Sequence, residues 1–113
     1  MCNKNTLDIL LRETHTGLKK IFNENLESVI LYGSYARGDY NSESDIDIMA
    51  LVNLEKEELS KYRRLVSDFA NDIDLKYDIL LSVKLQDKST FEKYSEALPY
   101  YMNVIKEGVK IGV

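Results

Sequence analysis

A short apolar run that stops at a glycine most constrains what this chain can fold into. Ser28-Val29-Ile30-Leu31-Tyr32 is apolar, β-branched and bounded by turn residues, which predicts a buried strand. Gly33-Ser34 follows directly as a sharp-turn signal. Beyond the polar stretch Asn41-Ser42-Glu43-Ser44, the run Asp45-Ile46-Asp47-Ile48-Met49-Ala50-Leu51-Val52 predicts a second strand. Strand alternation puts Asp45, Asp47 and Met49 on one face and Ile46, Ile48 and Ala50 on the other. The segment therefore reads as strand, Gly-Ser turn, short loop, and a strand carrying two acids on one side.

The flanking sequence supplies helices. Leu7, Leu10, Leu11, Leu18, Ile21 and Phe22 recur at helical spacing, predicting a helix from Thr6 to Phe22 with Thr6 as its cap. A second helix is expected from Leu54 to Ile73, with the stripe Leu59, Tyr62, Leu65, Val66, Phe69, Ala70 and Ile73. The alternation of Leu75, Tyr77, Ile79, Leu81 and Val83 predicts a third strand over Leu75 to Val83, with Asp78 on its opposite face. Helices over Lys88 to Tyr94 and Ala97 to Glu107 and a short edge strand at Val109-Lys110-Ile111 complete the pattern. With 113 residues and no repeat or linker, residues 1–113 are expected to form one α/β domain.

Composition narrows the function. The net charge is −4, from 19 acids against 15 bases, which argues against a general nucleic-acid coat. No apolar run approaches the roughly 20 residues of a membrane helix, and the first residues lack the apolar segment of a secretory leader. The lone cysteine, Cys2, suits a reducing compartment, so a cytoplasmic location is expected.

The chemistry concentrates at the Gly-Ser turn and the acids. Two carboxylates ~6 Å apart at an effective dielectric near 20 repel by about 3 kcal/mol, so gathering them calls for a cation or a raised pKa. Mg²⁺ suits such hard oxygen ligands and takes its remaining ligands from phosphates and water. Gly33 lets backbone approach a phosphate, Ser34 adds a hydroxyl, and Arg37 offers a charged fork. Asp78 is the expected third acid, with Asp72 and Asp74 as the neighbouring alternatives. Tyr35 and Tyr40 flank the loop, where their rings either meet a base or a partner or serve only structure, while Tyr62 and Tyr77 are expected in the core.

The strings Gly33-Ser34-Tyr35-Ala36-Arg37-Gly38 and Ser44-Asp45-Ile46-Asp47-Ile48 resemble the signature of the DNA polymerase β-like nucleotidyltransferases. Within that superfamily the chain is similar to the minimal nucleotidyltransferase (MNT) antitoxins that accompany HEPN-domain toxins. The stretch from Tyr100 to Val109 also resembles the end of such domains. The resemblance implies a mixed β-sheet flanked by α-helices, with Asp45, Asp47 and Asp78 holding Mg²⁺. It implies that Gly33, Ser34 and Arg37 meet the triphosphate of ATP. It further implies transfer of AMP to a tyrosine of a HEPN-type RNase toxin. Two other readings stand beside it: an antitoxin that neutralises by binding alone, and a nucleotidyltransferase with a small-molecule or RNA acceptor. With the core consuming the chain, little remains to build an acceptor pocket, which favours a macromolecular acceptor.

Overall fold

The computed structural model describes residues 3–112, so Cys2 lies outside the described residues. Four strands form one mixed sheet in the order β3-β2-β1-β4. Strand β1 (Leu26–Tyr32) pairs antiparallel with β2 (Ile46–Val52) and with β4 (Val109–Ile111). Strand β3 (Leu81–Asp87) pairs parallel with β2. Helices α1 (Lys4–Phe22) and α4 (Arg63–Tyr77) cover one face, and α5 (Lys88–Tyr94) and α6 (Pro99–Glu107) cover the other.

The strand alternation explains this layering. Ile46, Ile48, Ala50 and Val52 enter the larger core with Leu10, Leu18, Val66 and Ile73 from α1 and α4. Met49 and Leu51 point oppositely and pack with Ile30, Phe91 and Val104 beneath α5 and α6. Each such side chain contributes roughly 1.5–3 kcal/mol by leaving water. The central strand β2 is thus apolar on both faces, except at its leading end, where Asp47 sits on the α6 side.

Helix α1 starts earlier than the sequence pattern suggests. Asn3, not Thr6, is the cap: its Oδ1 accepts the Thr6 N–H at 2.8 Å. Gly17 lies in the middle of α1, where a glycine ordinarily costs about 1 kcal/mol against alanine. A β-carbon there would run into the Phe69 ring of α4, so the bare position sets how closely the two helices pack.

Two expectations are corrected. The helix over Leu54 to Ile73 is interrupted, as α3 (Lys56–Leu59) passes through a tight 3-10 turn at Ser60–Tyr62 into α4. The Ser60 hydroxyl donates to the Glu57 carbonyl at 2.7 Å, a local bond that accompanies the irregular turn. The strand over Leu75 to Val83 is not formed. Helix α4 runs on through Tyr77, and β3 begins only at Leu81. Val66, Ala70, Ile73 and Tyr77 continue one helical stripe, while Leu75 is 85% exposed. Lys76 Nζ lies 2.7 Å from Glu13 Oε1, and the Tyr77 hydroxyl donates to the same oxygen at 3.2 Å, tying this last turn to α1.

Candidate active site

Strand β1 ends at Tyr32, and the chain turns at Gly33 into the single-turn helix α2 (Ser34–Arg37). Gly33 has φ +76°, a left-handed conformation that side chains disfavour. The N–H groups of Ala36 and Arg37 both donate to the Gly33 carbonyl at 3.1 Å, closing the turn. Gly38 ends it at φ +85°. Across the sheet, Tyr32 is paired in register with Asp47. The Asp47 carboxylate occupies the space that a Gly33 side chain would fill, with Oδ2 the nearest atom. The turn and the acid are therefore built against one another.

Burial raises the Asp47 carboxyl above its ordinary value, the Asp45 carboxylate adds to this, and Arg37 opposes it. Asp45 itself is exposed, one residue ahead of β2. A half-buried acid facing another acid has reason to take a cation, and the pair matches Mg²⁺, which binds through one or two carboxylates and completes its shell from phosphate and water.

Arg37 is exposed but engaged. Its Nε lies 3.1 Å from Asp39 Oδ2 and its NH1 3.0 Å from Glu107 Oε2, and these bonds hold its pKa above the ordinary value. The second bond spans from α2 to α6 across a cleft of about 380 Å³. Gly33, Ser34, Arg37 and Asp47 line one side of that cleft, with Tyr32; Tyr100, Asn103, Val104 and Glu107 line the other. A larger cavity of about 620 Å³ runs along the open edge of β3, but none of the Gly-Ser turn or the Asp45–Asp47 pair lines it.

The expected trio of acids does not assemble. Asp78 is not on a strand: it caps the end of α4 at φ +52°, its N–H donating to the Asp74 carbonyl. Asp74 Oδ1 accepts the Leu81 N–H at 2.6 Å, and Asp72 lies on the outer side of α4, in a cavity with Glu13 and Phe69. On β3 the residue in register with Asp47 is Ser82. Among the described residues no three His, Cys, Asp or Glu side chains are placed to hold a metal ion together.

Tyr35 and Tyr40 take the structural alternative. Tyr35 is buried in the larger core and stacks on Tyr40, with ring centroids 4.1 Å apart and planes 8° from parallel. The stack supports the loop from inside. Sequence reasoning missed the α6 wall. Tyr100, Asn103 and Glu107 recur at i, i+3 and i+7, a polar stripe beside buried Val104, and that spacing was the available signal. The Tyr100 hydroxyl donates to Tyr32 at 3.0 Å, and burial, followed by this contact, pushes the Tyr100 phenol far above its ordinary value.

The mixed sheet flanked by helices is the fold that the motif resemblance implied. The family profile described as "Polymerase beta, Nucleotidyltransferase" matches residues 17–111. The chain belongs to the polymerase β-type nucleotidyltransferases. It is 35% identical over 92 residues to "Putative protein adenylyltransferase MJ0141" of Methanocaldococcus jannaschii, covering 81% of this chain and 91% of that protein. It is 31% identical over 98 residues to "Putative protein adenylyltransferase MJ0604" of the same organism, covering 87% and 90%. A crystal structure of a nucleotidyltransferase from Sulfolobus solfataricus superposes with a TM-score of 0.58 at 23% identity, covering 91% of this chain and 80% of that one, a likeness of fold. This nucleotidyltransferase chain contains no helix, among its described residues, that is long and apolar enough to cross a membrane.

Proposed function

We propose that this nucleotidyltransferase moves AMP from ATP onto a tyrosine hydroxyl of a HEPN-type RNase toxin, and so serves as its antitoxin in the cytoplasm. The observation that carries the reading is the close fit of Asp47 against the Gly33 turn, an acid beside a turn suited to phosphate. The relatives named as protein adenylyltransferases support a protein as acceptor.

In this reading the Gly33–Ser34 turn and the Arg37 fork receive the triphosphate. Asp45 and Asp47 would hold Mg²⁺, whose charge, when bound, offsets that of the phosphates and the leaving pyrophosphate. With Asp78 outside this cluster, Asp45 and Asp47 are the carboxylates that would hold Mg²⁺, with phosphate oxygens and water as the expected further ligands. The residues do three things: the turn aligns the α-phosphate, Arg37 draws charge from the phosphate oxygens, and Tyr32 and Tyr100, bonded to each other, link the cleft's two walls. In this reading the attacking hydroxyl comes from the partner protein, entering the cleft beside the nucleotide.

The test is intact mass spectrometry of the protein that co-purifies from native cells, with ATP and Mg²⁺ added. Mass steps of one AMP on the partner are expected with the wild type and not with Asp45→Asn/Asp47→Asn. A stable complex that neutralises the partner with no mass change would instead mean inhibition by occlusion.

A further inference from the structure

The cleft already contains tyrosine hydroxyls of its own. Tyr32 and Tyr100 line it together with Gly33, Ser34, Arg37 and Asp47. Tyr32 sits in register with Asp47 at the strand end and is only partly exposed. Tyr100 stands in the first turn of α6, at 36% exposure, with its side chain reaching back to the sheet. Its hydroxyl donates to Tyr32, so the hydrogen bond does not occupy its own lone pairs. Lys84 Nζ lies over the Tyr100 ring, 4.9 Å from its centroid, a cation–π contact that helps hold the ring beside the cleft.

We propose that Tyr100 is an internal acceptor, and that the chain adenylylates itself at this hydroxyl when no partner occupies the cleft. The inference rests on the reading that the cleft transfers AMP from ATP. The Tyr100 oxygen bonds to the α-phosphorus. The bond from that phosphorus to the bridging oxygen breaks, pyrophosphate leaves with the electron pair, and the phenolic proton passes to water. The product places an adenosine phosphate inside the cleft, so the modified chain has lost its own nucleotide site. Self-transfer thus switches off chains that lack a partner.

The experiment incubates the purified chain alone with ATP and Mg²⁺, followed by intact mass and peptide mapping. One AMP per chain is expected, mapped to Tyr100, at a first-order rate that does not change over a tenfold range of protein concentration. Tyr100→Phe keeps the ring contacts with Tyr101 and Lys84 and is expected to gain no mass. A label mapped elsewhere, or a rate that rises with protein concentration, overturns the proposal. So does an absent label when equilibrium binding of a non-hydrolysable ATP analogue is intact. Absence of both label and analogue binding overturns the transfer reading underneath as well.

Discussion

The Asp47 carboxylate lies where a side chain on Gly33 would have to be. One contact therefore couples the end of β1 to the start of β2, and, in the proposed reading, the turn that would receive phosphate to an acid that would meet metal. Gly33→Ala strains a backbone at φ +76° and drives a methyl group into that carboxylate at once. The expected cost is about 1–3 kcal/mol of stability, with ATP binding lost even where the variant is folded. Chemical denaturation and calorimetric titration on the same sample separate the two effects, and intact ATP affinity would contradict the coupling.

Asp47 trades stability for chemistry. Its carboxyl is raised by burial and then by Asp45, so its ionised form opposes folding. For an acid with a raised folded-state pKa, the favourable contribution is present at low pH and is lost as pH rises through that value. Asp47→Asn is expected to raise the melting temperature at neutral pH by about 2–5 °C. The advantage shrinks as pH falls toward the ordinary carboxylate range. A neutral-pH melting temperature below that of the wild type would contradict this account.

If Arg37 receives the triphosphate as proposed, Glu107 competes with the nucleotide for it. The Arg37–Glu107 bond crosses the cleft, and removing a negative charge from an anion site favours a triphosphate. Glu107→Gln is expected to bind ATP about 3- to 10-fold more tightly at low salt, with the gain fading as salt rises. Weaker binding would show instead that Glu107 holds Arg37 in its working position.

Asp87 ends β3 and caps α5, its Oδ2 accepting the Thr90 N–H at 2.9 Å. Burial pushes its carboxyl up, but the bonds from Thr90 outweigh this and the net value is lowered. That stability is present at neutral pH and is lost as pH falls through the lowered value. Asp87→Ala is expected to cost about 1–2 kcal/mol at neutral pH, and less in acid, as read from urea midpoints across pH.

The motif-bearing half of the fold was legible because its signals are local and agree. The run ending at Tyr32, the Gly33 turn and the Ile46–Val52 alternation each specify one conformation. The Leu75–Val83 segment was not, since its apolar residues fit both a helical and a strand period. Contacts with α1, made by Lys76 and Tyr77 to Glu13, accompany the helical outcome. That choice removes Asp78 from the sheet and leaves Ser82 in register with Asp47. The α6 wall was hidden for a different reason: Glu107 meets Arg37 only through a contact 70 residues away in sequence.

Adenylyl transfer is tested most directly by asking which phosphate of ATP moves. The chain and its co-purifying partner are incubated with Mg²⁺ and ATP labelled at either the α- or the γ-phosphate. The account predicts protein-bound label from the α-position only, on tyrosine, and none with Asp45→Asn/Asp47→Asn. Label from the γ-position, or α-label that persists in the double variant, would contradict it.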